Sequence, residues 1–263
     1  MYFGTIASGS SGNCLYVGTD TTHVLVDAGI SCKRILAGLD SFGVDSRDIQ
    51  AILVTHEHSD HISGLGVLSR KLNVPVYATH ETILEIHRCK SLGDLSKSEF
   101  YVIEAERPFK IGDIRVEAFS IPHDAADPVS YTFENAGFKI GMVTDLGCFD
   151  DGIVHNLENS DLLYVEANHD IRMLQAGPYP YPLKQRILGS RGHLCNEMTG
   201  RLVALLHNDR LKHVILGHLS KENNYPDLAL ETVLLEAFGG RETSDCPDVF
   251  VAPRDQASSL VTL

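Results

Sequence analysis

Long apolar runs, basic charge and paired cysteines are what this sequence has least of. No stretch approaches the roughly 18 apolar residues needed to span a bilayer, and no basic amphipathic helix offers surface attachment, which argues against a membrane role. The six cysteines (Cys14, Cys32, Cys89, Cys148, Cys195 and Cys246) are scattered, with no Cys-x-x-Cys pair. That spacing argues against a disulfide framework. The chain opens Met1-Tyr2-Phe3-Gly4-Thr5 without a basic region or a hydrophobic signal core, so the expected setting is the cytoplasm, with reduced thiols. Lys and Arg number 22 against 35 Asp and Glu, a net charge of -13. This balance argues against a protein that coats nucleic acid, since phosphate contacts require local Lys and Arg, but it leaves room for a small basic patch beside an acidic site. No repeat, linker or low-complexity run marks a boundary. At 263 residues and 43% hydrophobic, the chain is expected to form a single layered hydrolase domain over 1–263.

What is present is an ordered alternation of strands and helices. Residues 2–8, 14–18 and 23–27 read as an antiparallel meander. Ser31 reads as the N-cap of a helix with Ile35, Leu36, Leu39 and Phe42 on one face. The run Ala51-Ile52-Leu53-Val54 reads as a buried strand, residues 62–72 as a helix, 76–78 as a strand and 81–89 as a second helix. Strands are expected again over 100–103, 114–119, 129–133 and 139–143. Helices over 197–206 and 227–238 and strands over 213–216 and 248–252 complete a second half. Strand meanders with helices outside them predict two sheets packed face to face under helical outer layers.

The chemistry centres on Thr55-His56-Glu57-His58-Ser59-Asp60-His61, directly after the buried strand. Imidazole and carboxylate are the ligands a borderline divalent ion accepts, and four of them within six residues cannot all face one ion. Two adjacent ions fit better. Three later residues also end strands: His123 after Phe119-Ser120-Ile121-Pro122, Asp145 after Gly141-Met142-Val143-Thr144, and His218 after Val214-Ile215-Leu216-Gly217. Asp27 ends Val24-Leu25-Val26, where an unpaired carboxylate is costly, so it is expected to stand behind the metal loop as a hydrogen-bonding partner.

These positions resemble the metallo-beta-lactamase fold superfamily, in that superfamily's order. The resemblance implies an α/β fold, a four-layered αβ/βα sandwich. It places His56, His58 and His123 on one metal ion, Asp60, His61 and His218 on the other, and Asp145 between them. True beta-lactamases lack a bridging aspartate, which argues for the branches that cleave phosphodiesters or thioesters. A closer resemblance is to the YycJ (WalJ) family. It runs through Ser8-Gly9-Ser10-Ser11-Gly12-Asn13, Glu166-Ala167-Asn168-His169-Asp170, the stretch 177–187, Gly192-His193-Leu194-Cys195-Asn196 and Gly217-His218-Leu219-Ser220. Cys195 stands where that family usually has Ser. The family is linked to DNA exonuclease activity, and its relatives include the tRNA-processing endonuclease RNase Z and the phosphodiesterase PhnP.

The expected function is therefore a dinuclear metal-dependent phosphodiesterase, a DNA exonuclease in which a metal-bridging hydroxide attacks phosphorus. The ions expected are Zn2+ or Mn2+, with Fe2+ an alternative. Asp60 counts among the catalytic residues as well as the ligands. The leaving alkoxide needs a proton, for which His169 and His193 are candidates, with Glu166 orienting one of them. Residues 171–196 carry Arg172, Lys184, Arg186 and Arg191 and no acidic residue. This local reversal of charge suggests a phosphate-binding surface, with Tyr179 and Tyr181 able to stack on bases; the alternative is a proline-stiffened surface loop. Ser11 and Asn13 lie in a small-residue loop able to approach a phosphate, or simply in a hairpin. DNA is favoured over RNA as substrate. Competing functions are a thioester or lactone hydrolase on the same centre, and a non-catalytic nucleic-acid-binding module.

Overall fold

The start of the chain alternates apolar and small residues between Gly and Thr/Asp turns, and it forms the expected meander. In the computed structural model, which describes residues 1–240 and 246–263, strands β1 (Tyr2–Ala7), β2 (Cys14–Gly18) and β3 (His23–Val26) pair antiparallel. Internal contacts divide the chain into two units. The first comprises Met1–Ser120, Ala125–Gly137 and Pro253–Leu263; the second comprises Ile121–Asp124 and Phe138–Ala252.

In the first unit β3 is followed by α1 (Cys32–Ser41), which crosses over to β4 (Ile49–Leu53), parallel to β3 with Val26 opposite Leu53. Ser31 caps α1 by accepting from the Arg34 amide, and Ile35 and Leu39 are fully buried beneath it. Helices α2 (Ser59–Ile62) and α3 (Leu65–Leu72) lead to β5 (Val76–Ala78), and α4 (His80–Arg88) leads to β6 (Phe100–Val102). The sequence predicts one helix over 62–72, but the helix breaks at Ser63-Gly64. Gly64 donates to the Ala28 carbonyl at 2.8 Å, and a Cβ there would stand 1.9 Å from the Ile30 oxygen. The chain must bend to make that approach. Strands β7 (Phe109–Ile111), β8 (Ile114–Ser120) and β9 (Val129–Asn135) form an antiparallel ladder, of which β7 was not expected. The remaining strand of this unit, β14 (Val261–Thr262), pairs with β1 and completes the order β14-β1-β2-β3-β4-β5-β6.

The second unit is built on a parallel ladder of β10 (Phe138–Val143), β11 (Leu162–Glu166), β12 (His213–Gly217) and β13 (Asp248–Val251). Parallel strands need crossovers. These are α5 (Asp151–Leu157), the helices α6 (Ile171–Ala176), α7 (Tyr181–Leu188) and α8 (Asn196–Leu206), and α9 (Pro226–Phe238). β11 is buried at every residue, and its continuous apolar run carries no alternation to announce it. The stretch 171–196, read from its prolines as a possible loop, contains α6 and α7, with Pro180 as the N-cap of α7 and Pro182 in its first turn. Proline suits a helix start, where its missing N–H costs nothing. Among the described residues no helix is long and apolar enough to cross a membrane.

Candidate metal centre

In the first unit, the strand ends of β3 and β4 place Asp27 against the metal loop. Asp27 has φ 61°, a left-handed conformation uncommon outside glycine, Asn and Asp. Its amide still donates to Leu53 O at 2.8 Å. The carboxylate accepts from the Thr55 amide at 2.9 Å and the Thr55 hydroxyl at 2.9 Å, and lies 2.7 Å from His61 Nδ1. An ionised carboxylate only accepts, so Nδ1 of His61 carries the hydrogen and Nε2 the lone pair. His56 follows by the same logic. The Thr55 hydroxyl spends its one hydrogen on Asp27, so it accepts from His56 Nδ1, 3.0 Å away, and leaves Nε2 of His56 as a donor to a metal. The His56 ring lies 4.6 Å from that of His58 and 4.2 Å from that of His61, centroid to centroid, and His61 Nε2 lies 3.4 Å from Asp60 Oδ2.

The small-residue loop braces this arrangement. Asn13 is buried, receives the Gly9 amide on Oδ1 at 2.9 Å and donates its own amide to Asp60 O at 2.8 Å. Its side-chain nitrogen stands 3.2 Å from His61 Nε2 and 3.4 Å from Asp60 Oδ2. Gly12, at φ 152°, admits the close packing, since a Cβ there would stand 2.4 Å from Ile30 Cγ2. Ser11 is exposed.

In the second unit Asp145 and His218 end β10 and β12, again in left-handed conformations (φ 59° and 54°). Asp145 Oδ1 lies 3.7 Å from His123 Nε2, 3.6 Å from His218 Nε2 and 3.6 Å from His193 Nδ1. The far nitrogens are held: His123 Nδ1 is 3.1 Å from Gly192 O, and His218 Nδ1 is 2.9 Å from Glu166 Oε1. Glu166, fully buried at the end of β11, also takes His193 Nδ1 at 2.7 Å on Oε1, and the Leu146 and Leu194 amides on Oε2. Burial alone would raise the Glu166 carboxyl; the charge and hydrogen bonds of His193 and His218 outweigh it and hold the group well below the usual carboxylate range. Burial likewise pulls His193 down, but Glu166 and Asp145 beside it raise it overall.

Whether these donors suit divalent ions can be read from their spacing. Two atoms bound to one tetrahedral ion at about 2.1 Å stand about 3.4 Å apart. The separations of 3.4 Å between His61 and Asp60, and of 3.6 and 3.7 Å from Asp145 to His218 and His123, match that figure and are too long for good hydrogen bonds. Glu166 differs. Although it clusters with Asp145, His193 and His218, its 2.7 and 2.9 Å distances to His193 and His218 are those of hydrogen bonds, an arrangement suited to orienting imidazoles rather than to sharing an ion with them.

Four other expected residues have partners or surroundings the sequence did not announce. His169 is buried, neither ring nitrogen has a hydrogen-bond partner, and burial pushes it down to about 4; Glu166 engages His193 and His218 instead. Lys184 Nζ donates to Gln175 O and Gly177 O at 2.7 and 2.8 Å, which takes two of its three donors and leaves its charge. Arg186 pairs with Asp124, and Arg191 Nε donates to His123 O at 2.9 Å. Sequence reasoning missed Thr55, which links Asp27 to both His56 and His61, although it stands first in the metal loop. It also missed Gly192 O, a backbone acceptor with no side chain to reveal it.

Residues 22–218 match the profile of the Beta-lactamase superfamily domain. The chain belongs to the metallo-beta-lactamase superfamily. Within that superfamily, the exodeoxyribonuclease YycJ of Bacillus anthracis is 41% identical over 233 residues, covering 89% of this chain and 88% of that protein. The exodeoxyribonuclease WalJ of Streptococcus pneumoniae is 41% identical over 232 residues, 88% and 86% of the two chains. These similarities place the chain in the YycJ/WalJ family. The crystal structure of the metallo-beta-lactamase fold protein YhfI from Bacillus subtilis superposes with a TM-score of 0.73 over 98% of both chains at 16% identity. The α/β metallo-beta-lactamase fold expected from the sequence is thus the fold observed.

One consequence of superfamily membership is testable at Asp27. Asp27→Ala leaves the buried Thr55 amide and His61 Nδ1 without their acceptor, a loss of about 1–3 kcal/mol per group. It also frees the ring that presents Nε2, so metal retention is expected to fall roughly 10–100-fold. Metal analysis of purified protein after dialysis, with a thermal melt alongside, checks both; unchanged retention would remove Asp27 from the support of the loop.

Proposed function

We propose that this protein is a dinuclear metal-dependent exodeoxyribonuclease, with residues 1–263 working as one hydrolase domain. The observation that carries the reading is the turning of His61, His123 and His218. In each, Nδ1 is held by an acceptor while Nε2 is left at ion-sharing distance from a carboxylate oxygen. The names of the YycJ and WalJ relatives, exodeoxyribonucleases both, supply the substrate class. His56, His58 and His123 would hold one ion, Asp60, His61 and His218 the other, and Asp145 both. The imidazole-rich set suits Zn2+ and the carboxylates suit Mn2+, with Fe2+ also accommodated. Such a pair supplies a solvent-derived nucleophile at neutral pH and Lewis acidity at a phosphodiester.

The chain's own residues do the rest. Glu166 fixes His193 by its Nδ1, and the 19% exposed His193 side chain is the group available to hand a proton to the leaving oxygen. His169, buried with no acceptor in reach, is not placed for that transfer. Asn13 holds Asp60 and His61 in register, and the exposed Ser11 hydroxyl is free to meet a phosphate. Arg172, Lys184, Arg186 and Arg191 give the stretch 171–196 its positive charge, of which Arg186 is paired with Asp124, and the charge suits a DNA backbone. The six free cysteines fit a cytoplasmic location.

The direct test is metal analysis of protein as purified, then digestion of 5'-labelled and 3'-labelled single-stranded and duplex DNA, and of RNA, with each metal restored. Mononucleotide release from one end of DNA is expected; no cleavage with any metal would overturn the reading. Arg191→Ala is expected to weaken DNA binding about equally across sequences and to lower the salt slope by about one. An unchanged slope in a binding titration would return Arg191 to a structural role that includes its contact with His123 O.

A further inference from the structure

Asp124 follows His123 directly, and its Oδ1 lies 3.5 Å from His123 Nε2. Asp145 Oδ1 lies 3.7 Å from the same nitrogen. By distance, Asp124 is as well placed to share an ion with His123 as the carboxylate assigned to that task. What separates the two is Arg186. From α7 its guanidinium closes a two-point fork on Asp124, Nε to Oδ2 and Nη2 to Oδ1 at 3.1 Å. The oxygen that faces His123 is therefore also the one that the guanidinium engages.

Stability is a poor explanation for this fork. The two side chains are 54% and 31% exposed, and solvent screens ion pairs of that exposure so that they add little to folding. Its surroundings point to the site instead. The turn after α7 also supplies Gly192 O to His123 Nδ1, and Arg191 Nε reaches His123 O. One stretch thus holds both the histidine and the carboxylate that follows it.

We infer that Arg186 is a positioning residue that keeps Asp124 from ligating the ion at His123 and so leaves a coordination position there open to a substrate oxygen. This rests on the proposed metal centre. A carboxylate oxygen is a good ligand for any of the divalent ions considered. Released from the fork, Asp124 would add a ligand and a negative charge where a phosphodiester must approach. Arg186→Ala then holds metal more tightly while cleaving DNA more slowly. A guanidinium that simply bound phosphate would give a different signature, with weaker DNA binding and unchanged metal affinity.

The test uses the full-length protein as wild type, Arg186→Ala, Arg186→Lys, Asp124→Asn and the double variant Arg186→Ala/Asp124→Asn, with folding followed by thermal melts. Zn2+ and Mn2+ affinities are read by competition with a chromophoric chelator, and single-stranded DNA affinity by titration at several salt concentrations. Arg186→Ala is expected to bind metal at least about tenfold more tightly, within the 10–100-fold range over which groups around ligands shift affinity. The double variant is expected to return to the wild-type value. Arg186→Lys falls between, because an ammonium cannot make the planar fork. Unchanged or weaker metal binding by Arg186→Ala overturns the inference, as does tighter binding that persists in the double variant. Wild-type protein that binds neither ion would refute the metal centre itself, whereas normal wild-type binding with no response to Arg186→Ala refutes only the role given to Arg186.

Discussion

Asp145→Ala is expected to abolish nuclease turnover and to lower the metal content of the purified protein. Asp145 is almost fully buried, and its Oδ1 stands within 3.6–3.7 Å of nitrogens on His123, His193 and His218. Removing it takes away the only carboxylate proposed to touch both ions, and leaves their charges less balanced among buried side chains. The loss in kcat is expected to be roughly a thousandfold or more, the upper scale for losing one preorganised electrostatic group. Because Asp145 is left-handed at φ 59°, asparagine, which tolerates that conformation, is the companion variant. Asp145→Asn keeps the turn and loses the charge. If both variants lose activity and metal while keeping the melting temperature of metal-stripped wild type, the effect belongs to coordination; full activity in Asp145→Asn would remove the bridging assignment.

His193→Ala is expected to cost about 10²–10⁴ in kcat, the range for a general acid, with metal content unchanged. The imidazole is held on Glu166 Oε1 at 2.7 Å, but it is not among the proposed ligands, so the two readouts should separate. Glu166→Gln provides the contrast. Glu166 also holds His218 Nδ1, so this variant is expected to lose both proton transfer and metal retention. His169→Ala is expected to leave kcat within a few-fold of wild type, on the scale of a residue outside the chemistry. A large kcat loss in His169→Ala with none in His193→Ala would exchange the two assignments. Single-turnover kinetics with a leaving group of low pKa offers a further check, since such a group needs little protonation and should partly rescue His193→Ala.

Much of this site was legible because its ligands crowd together or end strands. Four candidate ligands within residues 56–61 follow a buried apolar strand, and His123, Asp145 and His218 each follow another strand. Strand-end polar residues stand out against apolar runs. What could not be read was the choice between His169 and His193. His169 stands three residues past β11 and His193 just past the turn after α7, and only the fold turns the Glu166 carboxylate toward His193. The fork between Arg186 and Asp124 spans 62 positions and has no local signature. The strand β11 and the helices α6 and α7 were missed for a related reason. A four-residue apolar run and a proline-rich stretch are each compatible with several conformations, and tertiary packing decides among them.

Asp27, Asp145 and His218 each sit where a strand gives way to a left-handed residue, a conformation that costs an L-amino acid on the order of 1–2 kcal/mol. A glycine at any of the three would relieve that cost and forfeit the side chain. At Asp27 that relief is outweighed, because the Thr55 amide and His61 Nδ1 would lose their acceptor; there the atoms that steady the turn are the same ones that aim the reactive end of the molecule, so neither can be traded for the other.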